Sequence, residues 1–408
     1  MYLPLYPLKQ AVARASSRAR LLWMVHARPG ISRAELAEAS ALSKAAISAV
    51  VADLLGKGML LERQTAPSSV GRRRIGLQLN DRAGLALGVH IEATQCTAVL
   101  TDLAGQPIQL RSYLGEMLAP SDAVREGAAL VRELAAAAPT DVPIVGLGVS
   151  VAGLADAAGE SVLLFAPQAW AGELPLALLL REQLGWADEL PLVLINGYHA
   201  AALAEHRSGA GQGADDMFFV SVGEGIGAGF VLDGELYPGS SGGAGDIAHI
   251  AVDPAGVACS CGNIGCLETL ASGPAVIRSV EAALKEHGRD HLLGHSQPGS
   301  GSIRLEDVIR ATVAGDMVAL AAVRQAGEYL GTAIAGLVNA LNPRRVVIGG
   351  QLAEAGDTLL TPLQEALLRR AAPAAYSNVQ VRPAALGNDA AALGAAALAI
   401  ERYLLAYV

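Results

Sequence analysis

The sequence is limited first by what it lacks. No apolar run reaches the roughly 20 residues that a bilayer-crossing helix needs, although 52% of the 408 residues are hydrophobic. Charges and turn residues break every such run. The first ten residues, Met1–Gln10, carry prolines and a single lysine, without the basic start, apolar middle and small-residue cleavage site of a signal peptide. A cytoplasmic protein with no membrane partner is therefore expected. Cysteine is scarce too. There are four, and three of them, Cys259, Cys261 and Cys266, fall within eight residues. In a reducing compartment that clustering points to a metal site more than to a disulfide framework.

Basic charge is also in short supply: 30 Lys/Arg face 39 Asp/Glu, a net charge of −9 that taken alone argues against nucleic acid. The average conceals an asymmetry. Residues 1–80 hold 12 basic and 4 acidic side chains, and the remainder holds 18 and 35. A small basic head on a large acidic body suits a DNA-binding module joined to a ligand-binding module.

The head reads as three helices and a β-wing. Leu21, Leu22 and Val25 form one apolar face before the Arg28-Pro29-Gly30 break. Ser32 with Glu35 makes a capping box that opens a short helix to about Ala39. Ser43 caps the next helix, in which Ile47, Val50, Val51 and Leu54 recur at i, i+3, i+4 and i+7 as a core stripe ended by Gly56 and Gly58. Met59–Glu62 and Ile75–Leu79 follow as strands around Gly71-Arg72-Arg73-Arg74. This is the order of a winged helix-turn-helix.

From about residue 85 the pattern becomes α/β. Leu85–Glu92, Cys96–Asp102 and Ile108–Leu114 form a meander. Helix, strand, helix, strand and helix follow, near 121–138, 144–151, 175–184, 191–195 and 197–207. A second meander starts at Met217–Val222, followed by long helices near 317–341, a strand Val346–Ile348 and a closing Ala-rich helix after Gly387. Two halves, each a meander followed by βα units, predict a duplicated architecture.

His249 lies ten residues before Cys259, and together with Cys259, Cys261 and Cys266 it supplies three thiolates and one imidazole. Those four donors fill a tetrahedral zinc shell, so a structural zinc is expected. The run Gly242-Gly243-Ala244-Gly245-Asp246-Ile247-Ala248-His249, followed by Cys-x-Cys-Gly-Asn-Ile-Gly-Cys-Leu-Glu268, closely resembles the signature of the ROK family (repressors, open reading frames and kinases). The likeness extends over nearly the whole chain and includes the winged head of that family's xylose and N-acetylglucosamine repressors. It implies a two-lobed, actin-like (ribonuclease H-like, sugar-kinase-type) ROK domain that assembles as a homodimer or homotetramer. The expected division is a head at 1–80, a first lobe at 81–196 plus 388–408, and a second lobe with the zinc site at 197–387.

The same resemblance shows what is missing. Kinases of the family place a catalytic aspartate after an asparagine at a strand end. The matching stretch is Asn196-Gly197-Tyr198-His199, so Gly197 stands where the base belongs. His199 is a weak substitute, because at a helix start it points elsewhere. The first phosphate turn, Asp-x-Gly-Gly-Thr in kinases, reads His90-Ile91-Glu92-Ala93-Thr94, with a carboxylate for a glycine. The second, Gly223-Glu224-Gly225-Ile226-Gly227, carries another carboxylate and also reads as a tight hairpin. No catalytic residue and no enzyme activity are expected. By resemblance, Asn196, Asp246, His249 and Glu268 contact a sugar or sugar-phosphate effector, with Gln168 where the family usually has Pro-Asn. Ser43, Lys44, Ala45 and Ser48 face the major groove of a double-stranded operator, and Arg72, Arg73 and Arg74 on the wing reach phosphates or a narrow minor groove. The expected function is a sugar-responsive repressor of carbohydrate-related genes. Two alternatives stand beside it: an active sugar kinase with a DNA-binding head, and a ligand-independent DNA-binding regulator.

Overall fold

In the head, short polar side chains decide where each helix begins. Helix α1 (Ser17–Ala27) starts at Ser16, whose side chain accepts the Ala19 amide at 3.1 Å. Helix α2 (Arg33–Ser40) carries the full capping box between Ser32 and Glu35 and ends with Ala41 in the left-handed region. Helix α3 (Lys44–Gly56) is capped by Ser43 and meets α2 at a bend of 119°, within the range of helix-turn-helix pairs. Its stripe is as expected: Ile47, Val51 and Leu54 are fully buried. Strands β1 (Leu60–Gln64) and β2 (Ile75–Leu79) pair antiparallel, and Ile31 bridges to Leu77. The computed structural model describes residues 12, 15–64, 75–155, 161–164, 170, 172–186, 190–289, 292 and 303–407. The arginine triplet 72–74 and Gln168 lie outside them.

By its internal contacts the chain divides into two compact units, Met1–Ala200 with Ala391–Val408, and Ala201–Ala390. After the head, the first unit builds a five-stranded sheet from β3 (Leu85–Ile91), β4 (Gln95–Asp102), β5 (Pro107–Leu114), β6 (Ile144–Val151) and a later strand. Helix α4 (Pro120–Ala137) crosses between β5 and β6. A small antiparallel sheet of β7 (Gly153–Ala155), β8 (Val162–Leu164) and β9 (Gly172–Leu174) follows. Then come α5 (Leu176–Leu184), the fifth strand β10 (Leu192–Asn196) and α6 (Gly197–Ser208). The sheet order is β10-β6-β3-β4-β5, parallel across β10, β6 and β3 and antiparallel from β3 to β5.

The second unit repeats this order. Its sheet contains β11 (Met217–Val222), β12 (Ile226–Leu232), β13 (Glu235–Tyr237), β14 (Arg345–Gly349) and β15 (Gln380–Pro383). Counted from the other edge, β15-β14-β11-β12-β13 matches the first sheet in order and direction, so the duplication read from the sequence is present. Helices α7 (Leu267–Ala271), α8 (Gly273–Glu286), α9 (Leu305–Val313), α10 (Met317–Leu341) and α11 (Asp357–Arg370) surround it. Where long helices were expected near 317–341, one unbroken 25-residue helix stands. No single described helix is long and apolar enough to cross a membrane.

The closing helix α12 (Ala390–Ala406) returns to the first unit and lies against its sheet. Gly88 and Gly148 make this approach possible, since a Cβ on either would overlap the α12 backbone at Ala392 and Ala395. The far end of α12 enters the head, where Ile400 and Leu404 are fully buried in one core with Leu21, Leu36, Ile47 and Leu54. Overpacking a tight contact costs typically about 1–3 kcal/mol, and here the obstacle is backbone. Gly148→Ala is expected to lower unfolding free energy in urea by at least about 1–3 kcal/mol. A variant as stable as the parent would show that the helix does not sit this close.

Candidate functional site

The cysteine loop is shaped by backbone before any ion is considered. Ala251 bridges to Cys266 and Ala258 to Ile264, so the loop folds back on itself. Gly265 has φ 65°, and a Cβ there would overlap the Asp253 carbonyl, so only glycine completes the turn. His249 ends a single-turn 3-10 helix, Ile247–His249, and Cys266 is the N-cap residue of α7. One donor atom from each of His249, Cys259, Cys261 and Cys266 lies within 4.8 Å of the others.

Two of those separations test the fit to a metal. Cys259 Sγ to His249 Nδ1 is 3.6 Å, and Cys261 Sγ to Cys266 Sγ is 3.7 Å. A tetrahedral ion with bonds of about 2.3 Å to sulfur and 2.0–2.1 Å to nitrogen has edges of roughly 3.6–3.8 Å, so the donor set fits. The thiols are already differentiated. The Cys261 backbone amide, joined by the neighbouring donor side chains, draws Cys259 down to about 7 against the opposing effect of burial. Burial, with the facing thiols adding to it, pushes Cys266 up to about 12. A cation replacing protons relieves the crowding at Cys266.

Two of the expected sugar-contacting residues flank this loop, and a third, His249, is one of its donors. Asp246 is exposed, immediately before the 3-10 helix, and Glu268 sits in the first turn of α7. Burial and the Asp246 charge raise the Glu268 carboxyl above its usual range, while His249 opposes them. Asn196 belongs to the first unit, at the end of β10. Its side-chain oxygen accepts the Tyr198 and His199 amides at 2.9 and 3.3 Å, and its amide donates to the Gly153 carbonyl at 3.0 Å. The asparagine therefore caps α6. His199 is buried. The glycine-rich run at 223–227 is the turn of the β11–β12 hairpin, with the Gly223 amide donating to Gly225 at 2.9 Å.

Beside Gly197 the structure shows a group that sequence reasoning missed. A Cβ at residue 197 would lie 2.9 Å from His90 Cε1, so a side chain there would need the imidazole to shift. His90 Nε2 is 2.9 Å from Glu92 Oε1, and Nδ1 is 2.9 Å from Ser150 Oγ. Ser150 Oγ in turn donates to the Ala391 carbonyl at 3.1 Å. Burial alone would lower His90, but the Glu92 charge and hydrogen bond, with the Ser150 carbonyl, outweigh it and raise the histidine. Burial opposes the ionised form of Glu92 as well, yet the His90 charge and hydrogen bond hold that carboxyl below its usual value. Although the Ser–His–Glu contacts resemble a nucleophile's relay, Ser150 is completely buried and cannot reach a substrate. The parallel register that sets His90 opposite Ser150 is the signal that could have found the cluster.

In the head, Ser43, Lys44, Ala45 and Ser48 all lie on the exposed side of α3. The Ser43 hydroxyl accepts the Ala46 amide and the Ser48 hydroxyl donates to the Lys44 carbonyl, which leaves Lys44 as the charged group of that face. An ion pair from Arg33 to Glu62 at 2.6 Å ties α2 to β1.

A duplicated meander-and-βα fold with this cysteine loop defines the class of actin-like sugar-kinase proteins. Within it, the model of the ROK family matches residues 86–402, and the chain belongs to that family. The xylose repressor of Caldicellulosiruptor bescii is 29% identical over 377 residues, which cover 92% of each chain. Among solved structures, a ROK family transcriptional regulator homologous to the Escherichia coli MLC protein aligns with a TM-score of 0.78 at 25% identity, over 98% of this chain and 97% of its own. A ROK family glucokinase from Streptomyces griseus, solved with glucose and AMPPNP, aligns with a TM-score of 0.68 at 30% identity, over 77% of this chain and 99% of its own.

The contact between residues 197 and 90 is open to a double-mutant cycle. Gly197→Ala is expected to destabilise by about 1–3 kcal/mol, and His90→Ala in the same chain to recover at least about 0.5 kcal/mol of that through coupling. Additive losses in urea unfolding would place the imidazole elsewhere.

Proposed function

We propose that this protein is a DNA-binding transcription regulator, a repressor of carbohydrate-related genes whose kinase-like body binds an effector and assembles the oligomer without phosphorylating anything. One observation carries the reading: a capped helix pair with a two-stranded sheet stands ahead of the ROK match at residues 86–402. The regulator and xylose repressor align over nearly the whole chain, whereas the glucokinase spans only 77% of it. The head is what the kinase lacks in length.

The reading of a body without catalysis rests on Gly197 and on the imidazole beside it. Loss of a general base costs about 10²–10⁴-fold in rate, and here the His90 imidazole lies against that position. Restoring the carboxylate by Gly197→Asp alone meets His90, so it is not expected to restore phosphoryl transfer. The body keeps polar groups for a ligand, Asp246, His249 and Glu268, with Asn196 and Gln168 assigned by resemblance. The effector is then a sugar or sugar phosphate, and the protein acts in the cytoplasm as a homodimer or homotetramer on an operator with two half-sites.

His249, Cys259, Cys261 and Cys266 would hold a zinc ion. With four protein donors it supplies structure, fixing the loop and the adjacent histidine ring. Metal analysis of purified protein should give close to one zinc per chain, and Cys266→Ser should abolish it and lower the melting temperature. A native protein with no metal would remove the assignment.

For DNA, fluorescence anisotropy on the gene's own upstream intergenic fragment should show tight, salt-sensitive binding, weakened by one member of a panel of sugars and sugar phosphates. Lys44→Ala should weaken it by about 1–3 kcal/mol if the lysine reads a base. Replacing Arg72, Arg73 and Arg74 should flatten the salt dependence by up to about three phosphate contacts. Binding that no compound alters would favour a ligand-independent regulator. Absence of binding, or turnover of ATP with any sugar, would overturn the reading.

A further inference from the structure

The first unit contains a continuous path from its polar floor to the DNA-facing helix, and every link is a direct contact. The floor is the Glu92–His90–Ser150 chain at the ends of β3 and β6. Ser150 Oγ donates to the carbonyl of Ala391, in the first turn of α12. From there the helix lies on the sheet with glycines and alanines at the points of closest approach. Gly88 faces Ala392 and Ala396, Gly148 faces Ala395, and Gly146 faces Ala399. Those alanines recur at i, i+3, i+4 and i+7, one face of the helix. Gly394, on another side, meets the Ala200 carbonyl of α6 just as closely.

The helix spans 17 residues, roughly 25 Å at 1.5 Å per residue. Its far end is part of the head. Ile400 and Leu404 are fully buried with the core stripe of α3. Tyr407 beyond it carries Lys57, the residue that ends α3, 5.7 Å above its ring. The Tyr407 carbonyl accepts the Ser16 hydroxyl at 3.0 Å, which ties the start of α1 to the same point. Backbone-to-backbone contacts have no rotamers with which to absorb a displacement. A shift at the floor is therefore passed along the helix rather than dissipated.

We propose that α12 is a rigid rod coupling the His90–Ser150 floor of the first unit to the recognition helix α3, so that the two ends share one conformational equilibrium. This rests on the reading of the head as a DNA-binding module, and it adds the route by which the kinase-like body regulates that head. In this coupling His90 and Ser150 are positioning residues. Their effect on DNA is exerted through α12.

The test is amide hydrogen exchange of the full-length protein, followed by mass spectrometry. Ser150→Ala removes the hydroxyl that holds Ala391 and leaves the head untouched. It should accelerate exchange in peptides of α1 and α3 at least threefold over wild type. The control is Leu134→Ala, which opens the core on α4, away from α12. At urea concentrations matched for global stability it should leave head exchange within twofold of wild type. Coupling is reciprocal, so Leu404→Ala, at the head end, should accelerate exchange in β6 and the first turn of α6. That variant also serves if Ser150→Ala does not fold. Unchanged head exchange in Ser150→Ala, or equal acceleration by Leu134→Ala, would overturn the rod. Anisotropy of the wild-type protein on its upstream DNA separates the two failures. Binding without exchange coupling removes only the rod, and coupling without DNA binding supports the rod while removing the regulator reading.

Discussion

A helix can lie directly on a sheet only where the groups between them are hydrogens and methyls, and that constraint shapes the first unit. Gly88, Gly146 and Gly148 on adjacent strands, facing alanines of α12, bring backbone against backbone. Because the helix is pressed this close at one end, its other end is fixed in direction, and Ile400 and Leu404 become part of the head's core. The head's core is not confined to residues 1–80. It draws on Ala86, Leu103 and Val145 from the first sheet as well as on the closing helix. A DNA-binding module usually hangs from a linker. This one shares its interior with the body, and that makes a mechanical connection available without further devices.

The same unit packs a polar cluster against the glycine at the start of α6. Removing a carboxylate side chain from the start of α6 would leave a polar void beside the strand ends. The His90 imidazole lies against that position, and Glu92 and Ser150 satisfy both ring nitrogens. A buried imidazole with both nitrogens bonded is tolerable where an unpaired one is not. The imidazole is buried and its partner carboxylate is half-exposed.

Much of the architecture is legible in the sequence because its signals are local. Ser32 with Glu35, Ser43, and the stripe of Ile47, Val51 and Leu54 define the helix pair within a few residues of each element, and the meanders alternate visibly between turns. The cysteine loop is legible for the same reason, with three donors in eight residues. What escapes is set by pairing at long range. Gly197 announces a missing base, but nothing near it in sequence names His90 as its neighbour, since that contact arises only when β3, β6 and β10 align in parallel. The Ala-rich closing helix resembles background composition, and its partners, glycines some 250 to 300 residues earlier, are found only in three dimensions. The small β7–β8–β9 sheet has three-residue strands, too short to carry a periodic signal. Asn196, a ligand contact by resemblance, has its side-chain oxygen on the α6 cap, a local role the resemblance does not name.

The cysteine loop governs placement in the second unit as α12 does in the first. Cys266 is both a donor and the N-cap residue of α7, so the geometry of the donor set fixes the helix that carries Glu268. His249 is both a donor and the end of the 3-10 helix that follows Asp246. Three polar side chains, Asp246, His249 and Glu268, are therefore carried by segments that end in donors of one four-atom cluster. Recognition of a hydroxylated ligand depends on where polar groups stand, whereas transfer of a phosphoryl group needs a proton acceptor in addition. Placement of the polar groups around the donor set is thus a property separate from proton acceptance, and the four donors can keep it on their own.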